Sequence, residues 1–267
     1  MNDLTLEIVN PATIGGGVAM FMFLGILLCL RVGELIRQRA IASHKESGQR
    51  SIGSLESAVF ALLGLLIAFT FAGALTRFDV RRNLVVSEAN AIGTAYLRID
   101  LLPAAAQPRL RESFRNYVDS RIATYRKLPD LAAARSELAH SKELQAEIWT
   151  QALAATRAAD RRPSADMLLL PALNEMFDIS TVRVAATQMH PPLIIFVMLI
   201  GLALAAALLA GYEAAGEGAY NRLHKIGFAV IVAFTVYVIL DIEYPRLGFV
   251  RIDAIDKVLM DARAGMK

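Results

Sequence analysis

The sequence predicts an all-α membrane protein with four transmembrane helices and a helical soluble domain between the second and third spans. Hydrophobic residues make up 55% of the chain and the mean hydropathy is +0.45, values typical of proteins with several spans. Four apolar runs are long enough to cross a bilayer. The segment between the second and third runs has the apolar spacing of amphipathic helices, and no alternating strand pattern competes with it.

Two transmembrane hairpins are predicted. The first lies within residues 1–75, with spans at about 14–30 and 55–75 joined by a polar, basic loop over Val32–Gly53. The second lies within residues 191–242, with spans at about 193–211 and 226–240. It begins after two consecutive prolines, which end the preceding helix. Residues 243–267 are predicted to form an amphipathic C-terminal tail.

The second span is predicted to continue as one helix from Ser54 to Leu101. Proline is absent from this stretch, and its second half is amphipathic. At about 1.5 Å per residue such a helix is roughly 70 Å long, whereas hydrocarbon accommodates only about 30 Å. The helix therefore joins a membrane part to the soluble domain at 76–190.

Three more amphipathic helices are predicted in that soluble domain, over Arg109–Lys127, Leu131–Arg161 and Asp166–Met189. In the first of them Leu110, Phe114 and Val118 lie on one stripe, which must be buried against other helices. Pro171 predicts a kink in the third.

Several functional classes are not supported. The net charge of +3 is spread along the chain and no nucleic-acid-binding motif occurs, so no nucleic-acid partner is expected. The single cysteine rules out an intrachain disulfide. The four histidines lack metal-ligand spacing, and no catalytic motif is present. We therefore expect no metal, no cofactor and no enzymatic activity.

Charged residues near the membrane have two interpretations each. Glu56 opens the second span, where a carboxylate favours the helix dipole or, at a pore mouth, attracts cations. Arg77, Arg81 and Arg82 follow that span as headgroup anchors or, in an oligomer, as a basic ring that attracts anions.

Two further groups of residues are equally ambiguous. Asp241 and Glu243 end the fourth span as interfacial caps or as ion-path carboxylates. A set of apolar side chains on one face of the second span contacts lipid and other helices, or forms a hydrophobic constriction: Leu62, Leu65, Leu66 and Phe69.

Basic residues do not decide the orientation. Both sides of the membrane carry seven basic residues near the spans, counted on the predicted topology. Those on the side of Arg31 and Lys225 lie in shorter loops, which weakly favours that side as cytoplasmic and places the termini outside.

Long motifs carry a resemblance to a known family. The stretch ESAVFALLGLLIAFTFAGALTRFDVRRNLVVSEANAIGTAYLRIDLLP, together with PALNEMFDI, the HPPL turn and VYVILDIEYPRLGFVRIDAIDKVL, resembles the bacterial bestrophin-like family. TRFDVRR is similar to the exit of the second span in bestrophin ion channels. YPRLGFVRIDAIDKVLMDAR is loosely similar to the segment that follows their fourth span.

The resemblance implies a homopentameric ion channel in the bacterial inner membrane, with the second span lining the pore and aliphatic and Phe residues forming its neck. It also implies that the soluble domain and both termini are cytoplasmic, against the charge count, and we follow the resemblance. The Trp pair of many bestrophins is absent, and no dense acidic cluster follows the fourth span, so no calcium clasp is expected. Such proteins conduct anions or cations, so ion choice does not transfer.

The predicted function is therefore an oligomeric ion channel, a pentamer by resemblance, whose partners are membrane lipid, further copies of the chain and small inorganic ions. The alternative is a non-conducting membrane sensor or scaffold whose helical soluble domain binds a partner. Only the channel hypothesis requires a symmetric oligomer with the second span at its axis.

Overall fold

Helices form all the regular secondary structure in the part of the chain that the computed structural model describes, which confirms the all-α prediction. That part comprises residues 11–42, 53–158, 163–214, 221–245, 248–250 and 252–266. Residues 43–52 of the predicted Val32–Gly53 loop and a few residues of the predicted soluble helices and tail lie outside it. The elements, in order, are α1 (Pro11–Ala42), α2 (Gly53–Leu97), a 3-10 turn (Arg98–Leu101), α3 (Gln107–Arg126), α4 (Leu131–Thr156), α5 (Pro163–Gln188), α6 (Leu193–Glu213), α7 (Asn221–Glu243), a 3-10 turn (Asp253–Ile255) and α8 (Asp256–Ala264).

Four described stretches are long and apolar enough to cross a membrane, namely Gly15–Ala42, Glu56–Leu101, Ser164–Glu213 and Arg222–Glu243. They contain α1, α2, α6 and α7, as the sequence predicts, and α5 precedes α6 within the third. The second helix is continuous through residues 76–78, so the apolar half of α2 and its amphipathic half form one element.

The first span differs from its prediction, because α1 continues past Arg31 to Ala42 where a loop is expected. The charged residues of this extension are accommodated by ion pairs. Glu34 is buried and accepts hydrogen bonds from Arg31 and Lys225. Arg37 donates to the carbonyl oxygen of Glu213, at 2.9 Å, and to its carboxylate.

The described residues form two compact units. The membrane unit lies within Val9–Thr76 and His190–Tyr244, and the soluble unit within Arg77–Met189 and Pro245–Lys267. The four domain bounds predicted from the sequence stay a prediction.

Two glycines bring α1 and α6 together in the membrane unit. A Cβ atom on Gly33 would overlap the backbone of Leu208 and Tyr212, and one on Gly211 would overlap the backbone of Leu30. Only glycine allows two helix backbones to approach this closely, an arrangement frequent between helices in lipid.

The core of the soluble unit confirms the predicted stripe of α3. Leu110, Phe114 and Val118 are buried there, together with Ile92 of α2 and Ile148 of α4. Full burial of each such side chain contributes about 1.5–3 kcal/mol. The amphipathic half of α2 is therefore one wall of this core.

A charged side chain lies within that core. Glu88 of α2 is fully buried, and its two carboxylate oxygens accept hydrogen bonds from Nε of Arg121 and Nη1 of Arg183, each at 2.5 Å. Nη2 of Arg183 also lies 3.4 Å from Oδ1 of Asp256 at the start of α8. The Arg183 guanidinium is 3.8 Å from the centroid of the Tyr125 ring, a cation–π contact. One carboxylate therefore joins α2 to α3 and α5, and through Arg183 to α8.

The protonation of Glu88 follows from these contacts. Burial alone raises the pKa of its carboxyl group, but the charges and hydrogen bonds of Arg121 and Arg183 more than offset this. The pKa of Glu88 therefore lies below its usual range, and the side chain is ionised at neutral pH.

Replacing Glu88 with Ala should destabilise the soluble unit strongly, because two buried guanidinium groups lose their carboxylate. Breaking a buried ion pair costs about 3–5 kcal/mol. The free energy of unfolding can be measured by denaturant titration of the detergent-solubilised protein. Fluorescence of Trp149, the one tryptophan of the sequence, reports on the soluble unit because it packs against this core.

Glu143→Ala is the matched control, because the Glu143 side chain is 79% exposed and its removal should change the free energy by less than about 0.5 kcal/mol. Glu88 should contribute fully to the free energy of unfolding above its pKa in the unfolded chain, about 4.3. This contribution should disappear as the pH falls through its lower pKa in the folded protein. Equal stability of the Glu88→Ala variant and wild type would contradict the role of this network.

Candidate functional site

The candidate neck residues lie on the apolar half of α2. Leu62, Leu65 and Phe69 are 54%, 51% and 68% exposed in the single chain. On other sides of the same helix, Leu63 and Ala74 are buried within the membrane unit. Since positions three and four apart share a helix face, the three exposed side chains form one uncovered apolar stripe.

Leu66 differs from the other three because it is only partly exposed. With Leu62 it borders an apolar groove of about 370 Å³, whose other wall is formed by residues of α6: Met198, Gly201, Leu202 and Ala205. Leu62 and Leu66 therefore lie toward α6, whereas Leu65 and Phe69 do not line this groove.

Arg81 makes structural contacts within the single chain, and its role as a pore-mouth charge stays a prediction. It is buried, and its guanidinium donates to two backbone carbonyls at the end of α5, from Nε to Ala186 at 3.0 Å and from Nη2 to Met189 at 2.9 Å. The last carbonyls of a helix lack partners within the helix and carry partial negative charge. Arg81 therefore caps α5.

The other candidate mouth charges remain at the surface. Arg82 is exposed and Arg77 is partly buried. Glu56 is partly buried at the start of α2, close enough to Glu213 for the two carboxylates to interact electrostatically. Glu213 itself pairs with Arg37.

The two carboxylates at the end of α7 have side-chain partners. Oε1 of Glu243 lies 3.0 Å from Nδ1 of His190, whose ring stacks on Tyr244 with centroids 4.6 Å apart. Glu243 is only 1% exposed, and Asp241 hydrogen-bonds Tyr237 one turn earlier. These contacts favour a structural role, in which the Glu243–His190 pair joins the end of α7 to the start of α6.

The amphipathic half of α2 has an uncovered face of unusual composition. From residue 83 to the end of the helix its exposed side chains are all uncharged: Asn83, Val86, Ser87, Asn90, Thr94 and Leu97. Exposed positions of α3 in the same unit include Arg109, Glu112 and Asp119. Asn, Ser, Thr and Val are also weaker helix formers than Glu, Lys or Arg. Helix stability and solubility therefore do not explain this choice of residues.

Sequence reasoning missed both the Glu88 network and the His190–Glu243 pair, although each has a signal. Glu88 falls at helical spacing from Val85 and Ile92, so a carboxylate on an otherwise apolar face predicts a buried cation partner. The start of the third span and the end of the fourth lie on one side of the membrane, which brings His190 near Glu243. Groups of three or more His, Cys, Asp or Glu side chains suited to a metal do not occur among the described residues.

Comparisons with known proteins agree with the sequence motifs. A family model described as the Bestrophin-like domain matches residues 24–255. A crystal structure of a bacterial bestrophin homologue from Klebsiella pneumoniae, phased on zinc, has a TM-score of 0.63 and 15% identity, covering 92% of this chain and 98% of that chain. Two point mutants of that homologue have TM-scores of 0.65 at 14% and 16% identity, covering 92% of this chain and 99% of theirs. Among curated protein sequences no significant match is found. The matches confirm the predicted resemblance and the shared fold.

Removing the Arg81 cap should destabilise the soluble unit. Arg81→Ala leaves carbonyls of α5 without their charged donor, and hydrogen bonds from charged groups contribute about 1.5–3 kcal/mol each. Arg82→Ala, which removes the same side chain from the adjacent exposed position, should change stability by less than about 0.5 kcal/mol. Denaturant titration followed by Trp149 fluorescence compares the two, and equal losses would argue against the cap.

Proposed function

Because the chain belongs to the bestrophin-like family, we propose that this integral membrane protein is an ion channel in which several copies surround an axis lined by α2. The observation that carries the proposal is the uncovered apolar stripe of Leu62, Leu65 and Phe69. The proposal includes no catalytic step, and the resemblance makes a pentamer the favoured assembly.

The burial of the four spans supports α2 as the shared helix. The apolar window of α2 is only 17% buried within the chain, against 22–44% for the other three. This surface is covered by lipid or by other copies. In the soluble unit, where lipid is not available, α2 keeps an uncovered face without charges, such as Asn83, Ser87 and Asn90. If α2 faces other copies and a water-filled axis, both the uncovered apolar surface of its first half and the uncharged face of its second half are explained.

Phe69 is proposed as the narrowest point of the pore, with Leu65 and Leu62 one and two turns away. A ring of such side chains excludes water, so ions must lose hydration there, and wetting or drying of the ring opens or closes the path. Leu66 is proposed to support this neck from its side, because it borders the groove with α6.

The charges at the two ends of the path have opposite signs. Arg82 and Arg77 follow the neck and would attract anions, whereas Glu56 precedes it and would attract cations. We propose these three as mouth charges, and we assign Arg81, Asp241 and Glu243 to structural contacts rather than to the ion path.

Phe69→Ala should raise conductance severalfold in planar bilayers, because the wider ring admits water. Phe71→Ala is the matched control. Phe71 lies two residues further along, about 200° around the helix, and is 36% exposed, so its truncation should leave conductance near the wild-type value. Equal effects of the two changes would argue against a neck at Phe69.

Wild-type flux at the protein-free baseline, with a folded oligomer confirmed, would overturn the channel proposal. It would favour the non-conducting sensor or scaffold, because that alternative needs no ion path.

We further propose that the protein lies in the bacterial inner membrane with the soluble unit and both termini in the cytoplasm. Cysteines at Gln38 and Ala139, both exposed, test this in a Cys29→Ser background. A membrane-impermeant maleimide should label position 38 in intact cells and position 139 only after the membrane is permeabilised. The reverse pattern would overturn the orientation and support the charge count.

A further inference from the structure

A groove of about 530 Å³ lies between α3 and α8 in the soluble unit. Its walls combine basic, acidic and apolar side chains: Asp119, Ile122, Ala123, Arg126, Lys127, Met260 and Arg263. Three of these residues are cationic and one is a carboxylate, so the groove itself is positively charged. It is separate from the apolar stripe and from the mouth charges proposed above.

Two of the three cations are neutralised by carboxylates. Arg263 donates from Nε and Nη2 to the two oxygens of Asp119, each at 2.9 Å, a side-on bidentate pair. Lys127 donates to Glu137 at 2.5 Å, and this hydrogen bond, with one from Ser120, holds the pKa of Glu137 below its usual range. Asp119 therefore does not repel an anion as a free carboxylate would.

Arg126 is the cation left over. Its Nη2 atom donates to the thioether sulfur of Met260 at 2.8 Å, and in the described part of the chain it pairs with no carboxylate. A thioether is a weak acceptor, whereas a guanidinium presents five N–H donors in a planar fork. Arg126 is exposed, so its remaining N–H donors are open to solvent or to a ligand, at the edge of a groove that Ile122, Ala123 and Met260 line with apolar surface.

A charge without a carboxylate partner at this position has a simpler explanation, because cations near the end of a helix interact favourably with its dipole. Arg126 is the last residue of α3 and Lys127 follows it. The dipole accounts for the charge, but it does not require a groove or an apolar wall opposite the guanidinium.

We propose that this groove binds a small organic phosphate, with Arg126 as the anchoring group. The guanidinium fork matches the oxygens of a phosphate, and the apolar part of the ligand packs on Ile122, Ala123 and Met260. Such a ligand contacts α3 and α8 together, so it would hold α8 against the soluble unit.

Phenyl phosphate is the probe, because it joins a phosphate to an apolar ring. Isothermal titration calorimetry of the full, detergent-solubilised chain should give saturable binding that weakens at least about tenfold in Arg126→Gln. Arg109→Gln removes the same charge from the other end of α3, where Arg109 is exposed, and should bind within about twofold of wild type. Ala123→Glu places a carboxylate in the groove without disturbing the helix, and should also abolish binding.

Three outcomes would overturn the proposal: absence of saturable binding by wild type, equal affinity of the Arg126→Gln and Arg109→Gln variants, and equal affinity for neutral benzyl alcohol. Tighter binding of short-chain phosphatidic acid than of phenyl phosphate would also overturn it, because the groove would then fit a lipid headgroup. Gel filtration confirms that each variant is folded. The readout is binding rather than ion flux, so the result is independent of the channel proposal.

Discussion

The pairing of one buried carboxylate with two buried guanidinium groups is the constraint on which the soluble unit depends. Glu88 has no access to solvent, so its charge is tolerable only while Arg121 and Arg183 stay in contact with it. Since the three residues come from α2, α3 and α5, the three helices must keep one register relative to each other. An apolar core alone would tolerate small sliding movements, whereas directional hydrogen bonds of this kind do not.

The same constraint determines what remains for function on α2. Val85, Glu88 and Ile92 fix one side of the helix inside the soluble unit, and Arg81 attaches the helix to the end of α5. The opposite side is exposed in the part of the chain that the structure describes, and its uncharged composition distinguishes it from the exposed faces of α3. Any contact that α2 makes in an assembly must therefore use this exposed side, because the other side is already packed within the soluble unit.

The sequence predicted features that depend on local pattern, including the all-helical class, the four spans, the long second helix and the buried stripe of α3. It did not predict features that depend on distant partners. Arg81 resembles a membrane anchor because its acceptors are backbone carbonyls 105 and 108 residues away, and carbonyls leave no trace in a sequence. The extension of α1 was missed for the same reason. Glu34 and Arg37 look like loop residues in the sequence, because their partners Lys225 and Glu213 are distant along the chain. For the candidate neck, the pattern indicates which residues share a face but not what that face contacts.

The contact between α1 and α6 has a consequence for how the chain is made. Gly33 and Gly211 allow these two helices to pack backbone to backbone, yet Arg37 and its partner Glu213 at the same crossing are 176 residues apart. At a synthesis rate of about 5–20 residues per second, α1 is complete roughly 10–35 s before α6 exists. During that interval Gly33 lacks the backbone of α6 against which it packs, and Arg37 lacks its partner Glu213. Insertion of this protein therefore requires something to shelter the first helix, such as the insertion machinery or lipid, until most of the chain has been translated.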